Sequence, residues 1–109
     1  MGRVLEVCVD SVESAASAAR GGATRLELCA NLVIGGTSPD EDLFHMVRER
    51  VDIPIRVLLR PRFGDFLYSE EEFELLRRQV RRFSALGADG VVIGVLRPDG
   101  ALDEPRMAE

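Results

Sequence analysis

The chain has 109 residues, of which 46% are hydrophobic and 30% are charged, and its formal net charge at pH 7 is −5. These values are typical of a soluble globular domain, and an acidic chain is a poor candidate for non-specific binding to nucleic acid. No apolar run approaches the roughly 18 residues that a transmembrane helix requires. No secretory signal precedes the first predicted strand, and two cysteines do not make a disulfide framework. We therefore expect a cytoplasmic protein with free thiols and with neither nucleic-acid nor membrane partners.

The first third of the chain carries one short motif twice, on two predicted strands. Alternation of apolar and polar residues predicts strands at 4–9 and 25–29, and each contains a Leu-Glu-x-Cys motif. The Ala-rich stretch between them predicts a helix that begins at Asp10 or Ser11 and ends near Gly21-Gly22. Strand, helix and strand in so few residues indicate a βαβ unit, so the two strands should lie parallel in one sheet.

Each copy of the motif places one carboxylate and one thiol on the same face, because residues i and i+2 of a strand point the same way. These pairs are Glu6 with Cys8 and Glu27 with Cys29. Both thiols come near the carboxyl ends of their strands, where α/β proteins bind ligands. If the two strands are neighbours, Cys8 and Cys29 approach each other at that end of the sheet.

The middle of the chain continues the alternation of helices and strands. A loop at 30–38 contains two consecutive glycines, and Ser38-Pro39 predicts the start of the second helix, with the serine as its N-cap. A third strand is predicted at 55–59. An irregular loop of polar and aromatic residues follows at 60–68.

The last third of the chain predicts one more helix, one more strand and the start of a fourth helix. Ser69 and Glu72 have the spacing of a capping box, and Gly87 ends the helix that they begin. A fourth strand is predicted at 90–94, and a fourth helix starts at 103–105. About four strand–helix units with parallel strands indicate an α/β barrel or a doubly wound sheet. No G-x-G-x-x-G follows the first strand, which disfavours a dinucleotide-binding fold.

Five stretches of the chain carry a resemblance to a known family. They are Leu5-Glu6-Val7-Cys8-Val9-Asp10-Ser11, Gly22-Ala23 to Leu28-Cys29, Gly35-Gly36-Thr37-Ser38-Pro39, Arg60-Pro61-Arg62 with Gly64-Asp65-Phe66-Leu67-Tyr68-Ser69, and Gly87-Ala88-Asp89-Gly90. They resemble the CutC copper homeostasis proteins, and the resemblance runs over nearly the whole chain. The stretch from Arg-Pro-Arg to Tyr-Ser is specific, whereas Gly-Ala-Asp is common to many barrels. Phe63 stands where the family usually has a glycine, which could narrow the loop.

The resemblance implies an α/β fold of the TIM (β/α) barrel type, of which this chain would form a part. A complete barrel takes about 250 residues, so residues 1–109 are predicted to form a single domain that corresponds to the N-terminal half of a CutC-like barrel, a truncated form. Such a half leaves sheet edges open, and we therefore expect it to pair with another chain as a homo-oligomer.

The resemblance also implies copper homeostasis, with Cu(I) bound by Cys8 and Cys29 for buffering or trafficking in the cytosol. Thiolates select soft ions, Cu(I) above all, and two of them are enough for a linear site. The alternative is that each cysteine is an inert small hydrophobic residue, which is the commoner role of a free cysteine.

A second hypothesis is a barrel enzyme of unknown reaction that acts on a small anionic substrate. Glu6 and Glu27 would be its general acid and base. The alternative is a structural ion network, in which Arg56 or Arg60 pairs with Glu27. The sequence leaves open whether the chain is an enzyme.

The loop after the third strand contains the candidate anion-binding residues. Arg60 and Arg62 bracket a proline and could clamp a carboxylate or a phosphate, and Asp65 and Asn31 would line the same cavity. The alternative is that the two arginines hold the loop in place, with Asp65 as an internal partner.

Overall fold

The computed structural model describes residues 3–108, which form a four-stranded parallel sheet with helices packed on one face. The strand order is β1-β2-β3-β4, so every strand is parallel to the strand that precedes it in the chain. The elements are β1 Glu6–Val9, α1 Val12–Arg20, β2 Arg25–Leu28, a 3-10 turn Leu32–Ile34, α2 Glu41–Arg50, β3 Ile55–Leu58, α3 Glu70–Ala85, β4 Gly90–Val92 and α4 Glu104–Ala108. This order confirms the predicted α/β architecture of about four strand–helix units.

Two of the predicted helix starts are confirmed by their caps. Ser11 accepts a hydrogen bond from the Ser14 amide at 3.0 Å and begins α1. Ser69 and Glu72 form the predicted capping box of α3, in which each side chain accepts from the other residue's amide. Both caps satisfy amide groups that have no partner inside the helix.

The predicted start of the second helix at Ser38-Pro39 is wrong. The helix begins at Glu41, and Asp40 is its N-cap, accepting from the Leu43 amide at 2.7 Å. The Ser38 hydroxyl instead accepts from the Arg60 amide at 2.7 Å and donates to Gln79 at 2.9 Å. Two tertiary hydrogen bonds therefore occupy the side chain that the local pattern assigned to capping.

The core lies between the sheet and the helices. Alternate residues of each strand point into it, and Phe44 of α2 packs edge-to-face on Phe83 of α3 with ring centroids 5.8 Å apart. From α3, Phe73, Leu76 and Phe83 are buried in the core, and Val80 is partly buried against it. Within residues 3–108, none of the helices combines the length and apolarity needed to cross a bilayer.

The second face of the sheet carries polar side chains and is not covered by the helices. It is the face on which the two Leu-Glu-x-Cys motifs place their carboxylates, and Arg25 and Arg56 share it. The strands are shorter than predicted, since β2 ends at Leu28 and β4 ends at Val92. Cys29 thus follows β2 directly, at the carboxyl end of the sheet.

Candidate functional site

The two thiols meet at one carboxylate oxygen. Cys8 lies opposite Glu27 in the parallel pairing of β1 and β2, and Cys29 comes two residues after Glu27 on the same side. The sulfur of Cys8 and the sulfur of Cys29 each lie 3.6 Å from Glu27 Oε2, within hydrogen-bond distance. The single proton of the Cys29 thiol has a second acceptor at the same distance, the main-chain carbonyl of Glu27. The two sulfurs are therefore at most twice 3.6 Å apart. This agrees with the close approach expected for cysteines on neighbouring strands.

The two thiols differ in exposure. Cys8 is exposed, whereas Cys29 is only 1% exposed. Burial, followed by the charge of Glu27, raises the pKa of the Cys29 thiol to about 12. The same two causes raise the pKa of the Cys8 thiol. Both side chains are thus protonated at neutral pH, and a bound metal ion must displace their protons.

Gly36 brings the loop after β2 close to the buried thiol. Its φ of +91° lies in the left-handed region, and a Cβ atom there would lie 3.7 Å from Cys29 Sγ and 2.8 Å from Leu58 Cδ2. Arg60 holds the loop in this position by donating to the Gly36 carbonyl at 2.9 Å. The glycine is therefore needed for close approach as well as for backbone conformation.

The two carboxylates of the motifs have different partners. Glu6 forms an ion pair with Arg25 at 2.6 Å, between residues that are paired in register. Glu27 lies opposite Arg56 in the pairing with β3, but its oxygen accepts from the thiols, and Arg60 donates to loop carbonyls. The sequence analysis did not identify Arg25, although its position two residues before Glu27 puts it on the same face.

Arg62 holds the loop after β3 to the start of α3. Its Nε donates to Glu72 at 2.6 Å, and its terminal nitrogens donate to the Asp65 carboxylate and to the carbonyls of Phe63, Asp65 and Leu67. These bonds engage the whole guanidinium within the chain. Of the two roles considered for Arg62 and Asp65, the geometry favours that of holding the loop in place.

Asn31 and Arg60 are also engaged inside the loops. The Asn31 amide donates to the Thr37 hydroxyl at 3.0 Å, and its backbone is left-handed with φ +53°. Arg60 donates to the carbonyls of Gly36 and Gly64 and stacks on the Phe66 ring at 4.9 Å. The candidate anion-binding residues therefore fasten the two loops at this end of the sheet.

Few metal-binding side chains come together in the described part of the chain. Among residues 3–108, no group of three or more His, Cys, Asp and Glu side chains is arranged to hold a metal ion. The one histidine, His45, is exposed on α2, with its ring against Phe44 at 5.9 Å. The two thiols are thus the donor set that the structure offers, and soft donors of this kind suit a soft ion such as Cu(I).

Comparison with known proteins gives consistent results. The model described as the CutC family matches residues 3–109. Proteins from Mus musculus and Homo sapiens named "Copper homeostasis protein cutC homolog" are each 50% identical over 103 residues, which cover 94% of this chain and 38% of theirs. A protein from Xanthomonas campestris named as a family protein CutC is 50% identical, with coverage of 94% and 43%. The chain thus spans about two fifths of the length of these curated relatives.

A solved structure confirms the fold class. The crystal structure of a protein from Streptococcus agalactiae named CutC matches with a TM-score of 0.85 and 26% sequence identity. The match covers 97% of this chain and 52% of that one. The four parallel strand–helix units are therefore part of a TIM-barrel-like fold.

Proposed function

The chain belongs to the CutC family, and on that premise we propose that it binds Cu(I) through Cys8 and Cys29. The proposed role is copper homeostasis by buffering or trafficking in the cytosol. The names of the mouse and human relatives support the link to copper, and the donor chemistry of the site supports the metal.

The observation that carries the proposal is the convergence of both thiols on Glu27 Oε2 at 3.6 Å. A two-coordinate ion needs its sulfurs roughly 4.5 Å apart, about twice a metal–thiolate bond length. That spacing lies within the limit of twice 3.6 Å that the shared oxygen sets on the distance between the two sulfurs.

The unequal exposure of the two cysteines suits a site to which Cu(I) is transferred and from which it is later released. The exposed Cys8 can accept Cu(I) from a donor thiol in solution, and the buried Cys29 can complete the site. Release would follow the reverse order. A buried second ligand also keeps water and oxidants away from the bound ion.

The test is an anaerobic Cu(I) titration against a competing chelator. The wild-type chain is compared with the Cys8→Ser/Cys29→Ser variant and with each single variant, after circular dichroism has shown that all are folded. We expect near-stoichiometric binding by the wild type, weaker binding by each single variant and loss of binding by the double variant.

His45→Ala is the matched control, because it removes the only histidine from an exposed position on α2. This variant should bind Cu(I) as the wild type does. Binding that the double cysteine variant retains would overturn the proposal, and so would binding too weak to compete with the chelator.

The chain's domain organisation and assembly belong to the same proposal. We infer that residues 1–109 form one domain, since a single hydrophobic core joins strands β1–β3 to helices α1–α3. We also infer that copies of the chain associate through the open edges of the sheet, at β1 and β4.

A further inference from the structure

We propose that Arg56 is a positioning residue of the thiol site, which receives the Glu27 carboxylate when Cu(I) takes the place of that carboxylate between the two sulfurs. The inference rests on the proposed copper function and adds a residue that does not touch the ion. The carboxylate would thus have two positions, one against the thiols of the metal-free protein and one against the arginine of the neighbouring strand.

The metal-free arrangement places Glu27 where an ion would lie. Its Oε2 is 3.6 Å from the sulfur of Cys8 and 3.6 Å from the sulfur of Cys29. The thiol protons are the ones that Cu(I) must displace to solvent. The carboxylate must therefore move aside before both sulfurs can bind one ion.

Binding also changes the charge at the site. With both thiols protonated, the site carries only the negative charge of Glu27. Cu(I) brings one positive charge and replaces two protons, so the ion and the two sulfurs together add one negative charge. Like charges this close repel each other, and Glu27 loses its thiol donors at the same time. A cation beside the displaced carboxylate would offset both effects.

Arg56 is the cation that the sheet places beside Glu27. It lies opposite Glu27 in the parallel pairing of β2 and β3, on the same face, and both residues are partly exposed. Within residues 3–108, no hydrogen bond or ion pair engages its guanidinium. Its side chain lies across Gly90 of β4, where an added Cβ atom would be 3.3 Å from Arg56 Cγ and 3.6 Å from Nε. The arginine is therefore turned toward β4 and away from the thiols.

The first copy of the motif shows that the geometry of this sheet allows the pair. Glu6 and Arg25 also lie directly opposite each other, one strand earlier, and they form an ion pair at 2.6 Å. Rotation of side chains into other staggered positions would bring Glu27 and Arg56 together in the same way, without a shift of the strands. While the thiol protons remain, a partly exposed ion pair has little to add, because the thiols already satisfy the carboxylate oxygen.

The first test measures the coupling between Glu27 and Arg56 in the metal-free protein, from the thermal midpoints of Glu27→Gln, Arg56→Gln and the double variant. In the wild-type background the two effects should add, because the side chains are not paired. In the Cys8→Ala/Cys29→Ala background the carboxylate has lost its thiol donors and should turn to the arginine. A coupling of about 4 °C should then appear, the shift expected for a partly exposed ion pair in a domain of this size.

Glu6 and Arg25 supply the matched control. Their ion pair is formed in the structure without the thiols, so the coupling between Glu6→Gln and Arg25→Gln should be the same in both backgrounds. If the double alanine variant does not fold, Cys8→Val/Cys29→Val replaces it, because valine fills the volume of a buried cysteine without a hydrogen-bond donor.

The second test is the anaerobic Cu(I) titration. Arg56→Gln should weaken Cu(I) binding about fivefold when Glu27 is present, which is the upper end of what partly exposed ion pairs contribute. In the Glu27→Gln background no charge has to be moved, and the same change should weaken binding by less than about twofold. Arg50→Gln removes an equal charge from an exposed position in the last turn of α2 and should leave the affinity unchanged.

Equal losses of affinity from Arg56→Gln in both backgrounds, or no loss in either, would overturn the role of Arg56. A coupling in the metal-free wild type as large as that in the alanine background would also overturn it, and so would coupling in neither background. The proposed function fails by a different result, which is Cu(I) binding that survives Cys8→Ser/Cys29→Ser. The two failures are therefore distinguishable.

Discussion

Cys8 and Cys29 share an acceptor but should react at very different rates. Cys8 is exposed, whereas Cys29 is 1% exposed, and burial raises its pKa to about 12. Because the thiolate is the reactive form, alkylation of the metal-free protein by iodoacetamide at pH 8 should label Cys8 first. Peptide mass spectrometry at a series of times measures the order. Labelling of both residues at one rate would contradict the described burial.

The raised pKa of the Cys29 thiol determines how the stability of the fold and the rate of Cys29 alkylation depend on pH. A raised thiol pKa means that folding favours the protonated form, so this contribution to stability is present below the unfolded pKa and is lost as pH rises toward 12. Glu27 is the second cause of the shift, after burial. Glu27→Gln should therefore shift the curve of Cys29 alkylation rate against pH to lower pH. Labelling for fixed times at a series of pH values measures this shift. An unchanged curve would mean that the charge of Glu27 does not raise the pKa of the Cys29 thiol.

Gly36→Ala should destabilise the fold and expose the buried thiol. The new Cβ would lie 2.8 Å from Leu58 Cδ2, at a φ of +91° that L-residues rarely adopt. The left-handed conformation alone costs about 1–2 kcal/mol. Urea unfolding measures the loss of stability, and alkylation of Cys29 reports the movement of the loop.

Gly22→Ala separates the cost of a left-handed backbone from the effect of the close contact at Gly36. Gly22 has φ +107°, and its added Cβ would have no heavy atom within 4 Å. It should lose a similar amount of stability through the backbone, while Cys29 stays as unreactive as in the wild type. Faster labelling of Cys29 in both variants would show that the close contact at Gly36 is not what shields the sulfur.

The thiol pairing could be predicted from the sequence, whereas the partners of the carboxylates could not. A repeated motif on consecutive parallel strands fixes which side chains share a face and an end of the sheet. Which arginine pairs with which glutamate depends on the register between the strands. That register places Arg25 opposite Glu6, and it was known only once the strands were aligned in space.

At the scale of elements, the start of α3 combines a helix cap with a loop anchor. The Ser69 hydroxyl accepts a hydrogen bond from the Glu72 amide at 3.1 Å. The Glu72 carboxylate also accepts a hydrogen bond from the Arg62 guanidinium. Ser69→Ala should cost about 1 kcal/mol of stability, the usual value of such a cap. Urea unfolding measures it. Ser84→Ala, at an exposed position in the last turn of the same helix, should change stability by less than about 0.5 kcal/mol.

The hydrogen-bonded ion pair of Arg62 and Glu72 should make the stability of the fold depend on pH in the acid range. Hydrogen bonding from Arg62, then from the Ser69 amide, lowers the pKa of Glu72 from 4.5 to about 2. A lowered carboxyl pKa stabilises the fold above the unfolded pKa, and the contribution is lost as pH falls from about 4.5 to about 2. Glu72→Gln should therefore unfold more readily than the wild type at pH 7. The difference in thermal midpoint should close across that range, and a difference independent of pH would exclude the ion pair as its source.

The elements show where local patterns suffice and where they fail. Both helix caps depend on neighbours in sequence: the N-cap of α1 was placed at Asp10 or Ser11 and is Ser11, and the capping box of Ser69 and Glu72 was predicted correctly. Ser38 has an equally good local signal, but its hydroxyl bonds to Arg60 and Gln79, which are distant in sequence. A pattern of four residues carries no information about such partners, so the start of α2 was placed too early.

At the scale of the whole molecule, the α/β class with parallel strands followed from the alternation of elements, and the barrel type from the family resemblance. The helices cover one face of the sheet, and both edge strands lack a neighbouring strand within the described residues. Beside β4, a groove of about 290 Å³ is lined by apolar side chains such as Leu76, Val91 and Val95. At the other edge, Val4 and Leu5 are 66% and 51% exposed. Exposed apolar side chains and unpaired strand edges of this kind favour association when nothing covers them.

We therefore expect copies of the chain to associate edge to edge, with β1 of one beside β4 of another. Sedimentation equilibrium should give a mass that rises with concentration above the 12.0 kDa of one chain. Val4→Lys places a charge beside the edge of β1, which is how natural sheets block edge pairing, and it should lower the average mass. Met46→Lys adds the same charge at a 54% exposed position on α2, away from both edges, and should leave the mass unchanged. A mass of one chain at every concentration would contradict association, and equal effects of the two lysines would show that contact is made elsewhere than at β1.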